Sequence, residues 1–419
     1  MIKKSKVTSV NLESLNNPYK TILMAQDKDQ KTLNVPPLRF PGFTDEWKTD
    51  RLSSYAKKII RKNKGNSITN VLCNSANLGI IPQLEYFDRD IANSENTNAY
   101  YVIERGDFVY NPRKSVSAPY GPVNLYDRPE SGIISPLYLC FRVKNISKDF
   151  LLRWFKGNSW HQYVYSHGDT GVRYDRVSIK DEIFLNMPIL LPSIPEQEKI
   201  AKFLSLLDER ITTQNKIIED LKKLKSAIID SHFDGQKVNR RIGDLIHEVS
   251  NRNKSNTDLP VLSVSNRQGF IAQSEQFENR VIASDDTSNY KIVIKDDFAY
   301  NPARINVRSI ARLVNYESGI VSPMYLCFRC SNEILPEYLE LFFQSRNFQL
   351  EVEKKLEGSV RLCLSMDGMK SIQFSLPPIY EQKALTKRLK AIQSKLSNEE
   401  TLNLLYQAQR RYLLTNLFI

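Results

Sequence analysis

Two thirteen-residue segments of this sequence are almost identical. Residues Glu130–Arg142 read ESGIISPLYLCFR, and residues Glu317–Arg329 read ESGIVSPMYLCFR. Eleven positions are the same, and the other two exchange apolar residues of similar size. An internal repeat constrains the fold more than any single element does, because it indicates a structural unit that the chain uses twice.

The repeat extends well beyond these segments. Residues 51–113 align with residues 241–303 without a gap, so that GDFVYNP aligns with DDFAYNP. Further along, LPSIPEQEKIAKFL from Leu191 aligns with LPPIYEQKALTKRL from Leu376. Each repeat therefore predicts a domain of about 140 residues followed by a segment of about 40 residues. Within each domain, the apolar run that contains the repeated segment is typical of a buried strand.

The two shorter segments have the apolar spacing of a coiled coil, with Gln214 as a break in the first. A helix of about 37 residues is roughly 55 Å long, which exceeds the width of a small domain. We therefore expect the two helices to pack together; the alternative is that each lies on its own domain. The predicted seam residues are Ile200, Leu204, Leu207, Ile211, Ile218, Leu221, Leu385, Leu389, Ile392 and Leu396.

The charge of the chain indicates a polyanionic partner. Fifty-nine Lys and Arg residues against 47 Asp and Glu residues give a formal charge of +12. Nucleic acid is the commonest such partner, although a basic protein without one is the alternative. Basic residues recur at matching loops of the two repeats, where they suit phosphate and base contacts. The candidate DNA-binding residues are Lys62, Lys64, Arg113, Lys114, Arg173, Arg252, Lys254, Arg304, Arg308 and Arg361.

No catalytic or metal site is predicted. Tyr110-Asn111-Pro112 and its repeat at Tyr300 lack the rest of an amino-methyltransferase motif, and the two tyrosines are expected in the core. Glu337, Glu353 and Lys355 could form a metal-dependent nuclease set, but such a match is expected by chance.

The five cysteines form no metal-binding or disulfide framework, which favours buried thiols in a reducing cytoplasm. No stretch of 18 apolar residues is present that would predict a membrane span.

The order of these motifs resembles the specificity subunit of a type I restriction–modification enzyme. The segments PPLRFPGFTDEW (from Pro36), GDFVYNP, SGIISPLYLCFR and LPSIPEQEKIAKFLSLLDERI follow in the family's order, and the last three recur. The resemblance covers about Pro36–Ile419. Tyr380 departs from it, because the equivalent position of the first helix is Pro195.

The resemblance implies an α+β fold in which two target-recognition domains are joined by two long antiparallel coiled-coil helices about a pseudo-twofold axis. The expected divisions are an N-terminal flexible arm (1–35), the first recognition domain (36–194), the central helix (195–238), the second recognition domain (239–378) and the C-terminal helix (379–419).

The resemblance also implies a division of labour. Each domain would recognise half of a split double-stranded DNA target, and the helices would set the gap between the halves. Two methyltransferase subunits and two motor-nuclease subunits would dock on this frame. S-adenosylmethionine, ATP and Mg²⁺ are expected on those partners, with no cofactor in this chain.

Alternatives from the residues remain open. The chain could serve a related system in which one other subunit both methylates and cleaves, and the sequence does not separate the two. A metal-dependent nuclease and a coiled-coil scaffold without DNA contact are the remaining alternatives. The scaffold leaves the charge and the paired basic residues unexplained.

Overall fold

The computed structural model describes residues 34–86, 97–168, 175–266, 268–273, 286–358 and 362–419. These residues form two compact units. Unit 1 comprises Met1–Glu209 with Gln407–Ile419, and unit 2 comprises Arg210–Tyr406. Both units contain sheets and helices, which confirms the α+β tandem fold. Most of the predicted arm, residues 1–35, lies outside the described residues.

Unit 1 is built from ten described strands and four short helices. The strands are β1 Lys48–Arg51, β2 Ala56–Lys58, β3 Val71–Ser75, β4 Gly79–Pro82, β5 Tyr101–Ile103, β6 Asp107–Tyr110, β7 Val123–Leu125, β8 Gly132–Ile134, β9 Leu139–Val143 and β10 Pro188–Leu191. The helices are α1 Gln83–Tyr86, α2 Lys148–Lys156, α3 His161–His167 and α4 Asp181–Leu185. The strand orders are β4-β3-β8-β5, β2-β9-β6-β7 and β1-β10, with β3 and β8 parallel.

Unit 2 repeats this topology strand for strand. Its strands are β11 Arg240–Arg241, β12 Ile246–Glu248, β13 Val261–Ser265, β14 Gly269–Ala272, β15 Lys291–Ile294, β16 Phe298–Tyr300, β17 Ile310–Arg312, β18 Ser318–Val321, β19 Leu326–Cys330 and β20 Gln373–Phe374. The helices are α5 Pro336–Gln344, α6 Arg346–Glu353 and α7 Met366–Ser371. The orders β14-β13-β18-β15, β12-β19-β16-β17 and β11-β20 match those of unit 1, and β13 and β18 are again parallel.

The duplicated segments are two strands each, which corrects the expectation of one buried strand. In unit 1 the segment supplies β8 and β9, which belong to different sheets, and in unit 2 it supplies β18 and β19. A Ser-Pro turn at Ser135 or Ser322 separates the strands, because proline cannot continue a sheet ladder. One short segment therefore contributes to both sheets of its unit.

An ion pair between a buried aspartate and a half-exposed arginine connects the two repeated motifs within each unit. Arg142, at the end of the repeated segment, donates to both carboxylate oxygens of Asp107 at 2.6 and 2.9 Å. Arg329 makes the same bonds to Asp297 at 2.6 and 2.9 Å. Both aspartates have no exposed surface, and each also accepts a backbone N–H. The pairing raises the pKa of both arginines.

The two long helices span Ile194–Phe233 and Ile379–Asn416. The first helix ends at Phe233 rather than at the predicted 238. Gly235 follows with φ +66°, a left-handed conformation that terminates helices. The second helix begins at Ile379 after two prolines, and the exposed side chain of Tyr380 does not disturb its start.

Within unit 2 the long helices run antiparallel. Gln214 donates to the backbone and the carboxylate of Glu399 at 3.1 and 2.5 Å, and Lys225 donates to Gln393 at 2.9 Å. All ten predicted seam residues are buried or half-buried. Gln214 is buried as well, so the break in the apolar spacing corresponds to a polar contact across the seam.

Each long helix is joined to its unit by a repeated glutamine. The buried Gln197 accepts the N–H of Ser147 and donates to the carbonyl of Pro192. Gln382 accepts the N–H of Leu335 and donates to the carbonyl of Pro377. The first turn of each helix is therefore fixed against the domain that precedes it in the chain.

Candidate nucleic-acid interface

The first pair of basic loops, residues 62–70 and 252–260, is built around a buried asparagine. Asn63 bonds both the N–H and the carbonyl of Ile68, and Asn253 does the same to Thr257. Each loop also contains an asparagine with positive φ, namely Asn66 and Asn256. These contacts give the two loops a similar construction, and asparagine tolerates the left-handed conformation that both require.

The charged side chains of these loops lie at the surface. Lys64 and Lys254 are exposed. Lys62 is half-buried, with its Nζ 3.3 Å from the centre of the Tyr101 ring. Arg252 is exposed and donates to the carbonyl of Asn289 at 3.1 Å. The loops thus present cations on rigid backbone, an arrangement that suits contacts to phosphate.

A second pair of loops follows Tyr-Asn-Pro in each unit. The rings of Tyr110 and Tyr300 are buried in the cores. Asn111 and Asn301 each accept an N–H two residues ahead, at 3.0 and 3.1 Å, which turns the chain outward after the strand.

The basic residues of this second loop pair differ in exposure. Arg113 is exposed, whereas Lys114 is half-buried and donates its backbone N–H to Asp175 at 2.8 Å. Arg304 and Arg308 are exposed, and Arg308 donates to Gln349 at 3.0 Å.

The second loops differ in conformation between the repeats. In unit 1, residues 112–122 include a tight turn closed by Ser115 and Ala118, and the side chain of Val116 at the tip is fully exposed. In unit 2 the chain instead forms a 3₁₀ helix over Pro302–Val307 and ends it at Arg308, which has positive φ.

Buried amides support the loop of unit 1. Asn124 donates to the side chain of Asn74 at 2.5 Å and to the carbonyl of Ser75 at 2.9 Å. Asn74 donates to the carbonyl of Val109, and Asn111 donates to the carbonyl of Asn74. The equivalent residues of Asn74 and Asn124 in unit 2 are Val264 and Ala311. The loop of unit 2 is therefore supported by apolar packing at these positions.

A cleft of about 370 Å³ lies beside the second loop of unit 2, and its lining includes Arg304, Tyr290, Tyr325 and Gln273. The N–H of Asn253 in the first loop donates at 2.9 Å to the carbonyl of Tyr290, a residue that lines the cleft. The sequence reasoning missed the cleft's tyrosines and Gln273. Tyr325 was visible as a repeated residue, equivalent to Tyr138, but nothing in the pattern indicated that it lines a cleft.

In unit 1 the neighbour of Arg113 was also missed. The backbones of Arg113 and Arg176 pair in an isolated antiparallel β-bridge, so two arginines lie side by side. Two predicted residues, Arg173 and Arg361, lie outside the described residues.

The acidic residues considered for nuclease chemistry have other contacts. Glu337 forms an ion pair with Arg312, which also binds Asp296 and Glu340 at 2.5 and 2.9 Å. Glu353 lies at the end of α6 and accepts from Gln349. In the part of the chain that the structure describes, no three His, Cys, Asp or Glu side chains are grouped as metal ligands. Cys73, Cys140 and Cys327 are buried, as expected of core thiols.

None of the described helices combines the length and the apolar character needed to cross a membrane.

The sequence of this chain is similar to those of known proteins. Residues 45–223 match the model of the type I restriction modification DNA specificity domain. Two relatives are from Methanocaldococcus jannaschii. The putative type I restriction enzyme MjaX specificity subunit is 27% identical over 63% of this chain, and the match spans 63% of the relative, less than two thirds of its length. The type I restriction enzyme MjaVIII specificity subunit is 25% identical over 88% of this chain and 91% of the relative.

Solved structures agree on the fold. A chain from a structural study of complex assembly and conformational transition of the type I R-M system aligns with a TM-score of 0.54 at 14% identity, covering 90% of this chain and 98% of that one. The HsdS subunit from Thermoanaerobacter tengcongensis aligns with a TM-score of 0.50 at 16% identity, covering 91% and 98%.

Proposed function

We propose, from the premise that this chain belongs to the type I restriction–modification specificity subunits, that each of its two units recognises one half of a bipartite double-stranded DNA target. The observation that carries the proposal is the pairing of basic loops on a duplicated scaffold. Lys64 and Lys254 lie exposed on loops of the same construction, and Arg113 and Arg304 lie on the loops that differ. Equal scaffolds with unequal loops suit two different half-sites.

The proposed recognition divides the loops by role. The first loops, which are built alike in both units, would bind phosphates, because phosphate contacts position a protein without carrying sequence information. The second loops would contact base edges, where arginine pairs with guanine in the major groove. The net charge of +12 supports binding to a polyanion.

The chain itself would be the non-catalytic component of its complex. Two methyltransferase subunits and two motor-nuclease subunits are the proposed partners, with S-adenosylmethionine, ATP and Mg²⁺ bound there. The long helices, which pair antiparallel in unit 2, would determine the spacing between the half-sites. The alternative of a single partner that both methylates and cleaves is distinguished by the neighbouring gene.

The principal test is a map of methylated adenines in the host genome with and without this gene. We expect one two-part motif, methylated on both strands, to disappear with the gene. A map that stays the same while the chain co-purifies with a methyltransferase would contradict the proposal.

Exchange of the second loops tests the division of roles. Replacing residues 113–122 by residues 303–309 should convert the half-site of unit 1 towards that of unit 2 and leave the other half unchanged. Lys64→Ala and Lys254→Ala are the matched controls, since loss of a phosphate contact weakens binding for all sequences alike. If the motif is unaltered after the exchange, these loops do not determine base choice.

A heptad inserted into both long helices tests the spacing. Seven residues after Ile211 and seven at the facing part of the second helix add about 10 Å at 1.5 Å per residue. That length corresponds to about 3 base pairs at 3.4 Å each. The methylated motif should keep both halves and gain this spacing. An unchanged gap would show that the helices do not set it.

A further inference from the structure

Residues 34–47, called the strap here, cover the start of the first long helix in unit 1. Arg39 donates to both oxygens of Glu196 at 2.7 and 2.8 Å, and Glu196 is 1% exposed. The N–H of Leu38 donates to the carbonyl of Asn416 at 2.9 Å, which joins the strap to the end of the second long helix. Phe40 packs edge-on against Phe203 at 5.5 Å. The strap therefore lies between the ends of the two helices.

The repeat identifies the same place in unit 2. There the second long helix begins as the first does in unit 1, so Glu381 corresponds to Glu196 and Arg388 to Phe203. In unit 2, the end of the first long helix takes the place that the end of the second long helix has in unit 1. Ser231 therefore corresponds to Asn416. The core packing agrees with this correspondence. Phe233 contacts Tyr338 in unit 2, and Phe418 contacts Phe150 in unit 1, both at 5.3 Å.

In unit 2 this place is an open groove of about 480 Å³. Its lining includes Ile228, Ser231, His232, Leu385 and Arg388.

The residues at the start of the second helix are correspondingly uncovered. Glu381 is exposed, whereas its equivalent Glu196 is buried, and Tyr380 beside it is 67% exposed. The Glu381 carboxylate accepts a hydrogen bond from the hydroxyl of Tyr380, its neighbour in sequence, at 2.9 Å.

We propose that this groove of unit 2, together with Glu381 one helical turn before the lining residue Leu385, binds an extended apolar segment of a partner subunit that carries an arginine. Unit 1 shows the chemistry of the occupant, because the strap places Arg39 on the equivalent carboxylate between Leu38 and Phe40. Arg388 occupies the position of Phe203, and a guanidinium attracts an aromatic face or a carboxylate. The occupant therefore has an arginine followed by an aromatic or acidic residue. That the occupant belongs to a partner subunit rests on the proposed function.

The groove can be tested without DNA or partner subunits. The probe is a fluorescein-labelled peptide of residues 36–47, and its anisotropy is measured with the full chain. We expect binding that Glu381→Lys weakens tenfold or more, since a bidentate charge-assisted pair is lost and a like charge gained. Glu219→Lys makes the same charge change elsewhere in unit 2, at an exposed residue of the first long helix paired with Lys223, and should leave binding unchanged.

Charge reversal provides the decisive control. A peptide with Arg39→Glu should bind the wild-type chain at least tenfold more weakly and recover binding to the Glu381→Lys chain. No binding of the probe to the wild-type chain, or equal binding to both chains, would overturn the proposal. Binding that Glu196→Gln alters and Glu381→Lys does not would place the peptide in the strap's own site and overturn it as well.

The occupant is tested in the reconstituted complex. A photo-cross-linking residue at Tyr380 should attach to a partner segment that contains an arginine and an aromatic or acidic neighbour, and Glu381→Lys should abolish the cross-link. Attachment to a second copy of this chain, or no attachment in an intact complex, would overturn the partner assignment. An unchanged methylation map in the principal test would count against the proposed function but would leave the peptide result standing.

Discussion

The two units share their frame and differ in how their second loops are supported. Both have the same strand orders, the same parallel pair and the same buried aspartate–arginine contact. Unit 1 supports its loop with the buried amides of Asn74 and Asn124, whereas unit 2 has Val264 and Ala311 there. The comparison teaches that the repeated residues specify the fold and that the unequal residues alter the loops without disturbing the strands.

The strap adds a second difference. The start of the first long helix is covered in unit 1, and the start of the second is open in unit 2. A duplicated domain needs only one copy of a covering segment when a partner supplies the other. Under the two proposals, the differing loops serve recognition and the uncovered helix surface serves assembly.

The largest predicted effect concerns the shared frame. Asp107→Ala or Asp297→Ala should destabilise its own unit by about 2–4 kcal/mol, because a half-exposed arginine and a backbone N–H lose their acceptor. The three tryptophans, Trp47, Trp154 and Trp160, are all in unit 1, so urea unfolding followed by fluorescence isolates that unit. Only Asp107→Ala should shift the fluorescence transition, while circular dichroism reports both.

The control for this pair is Asp127→Ala, which removes an exposed ion pair with Arg105. It should change stability by less than about 1 kcal/mol. If Asp107→Ala lowered the free energy of unfolding as little as Asp127→Ala, the aspartate–arginine contact would not explain why the two motifs are repeated.

The second prediction addresses the difference in loop support. Asn124→Ala should cost unit 1 roughly 2–4 kcal/mol, because Asn74 Oδ1 and the Lys156 ammonium each lose a partner. The double change Asn74→Val with Asn124→Ala reproduces unit 2 and should cost less than the sum of the single changes. Tryptophan fluorescence in urea measures all three variants. Additive costs would show that the amides do not act together.

The third prediction returns to the duplicated segments. A Cβ at Gly132 or Gly319 would overlap the buried side chain of Leu72 or Leu262, where the two parallel strands meet. Gly132→Ala and Gly319→Ala should therefore each cost about 1–3 kcal/mol through overpacking. Gly42→Ala meets no atom within 4 Å, although its positive φ adds strain, and it separates the steric effect from the conformational one. Unequal costs at Gly132 and Gly319 would show that the equivalent crossings are not packed alike.

Much of this architecture could be predicted from the sequence. The duplication predicted two domains and the coiled-coil spacing predicted both long helices, because repeats and periodicity can be read directly from the sequence. The division of the duplicated segment between two sheets could not be predicted, since strand partners such as Leu72 lie far away in the chain. Which of the basic residues contact DNA stays a prediction.

The groove of unit 2 could not be predicted from the sequence either. It became visible only when Glu196 proved to be buried by Arg39 and its equivalent Glu381 proved to be exposed. The strap lies outside the repeat, so the pattern gave no reason to compare the two helix starts.

The smallest predicted effect is a pH dependence confined to unit 1. Burial, with Arg410 and Arg153 nearby, lowers the pKa of Lys156 to about 8, and the ammonium donates to Asn124 at 2.6 Å. Gln344 stands at this position in unit 2 and does not titrate. Because the unfolded lysine, with the ordinary pKa of 10.5, holds its proton more strongly than the folded one, the unfolded state binds more protons between pH 8 and 10.5.

Stability of unit 1 should therefore rise with pH across that window. We expect a gain of about 1–2 kcal/mol, reduced from the full pKa difference because the side chain is only half-buried. Urea unfolding by tryptophan fluorescence at pH 7.5, 9 and 10.5 measures it, and Lys156→Met should remove the slope. Other lysines and tyrosines titrate in the same range, so the slope of stability against pH is compared between the wild-type chain and the Lys156→Met variant. An equal slope in the wild-type chain and the Lys156→Met variant would show that the charge of Lys156 does not destabilise the folded state. The buried amides of unit 1 would then carry no electrostatic penalty that unit 2 lacks.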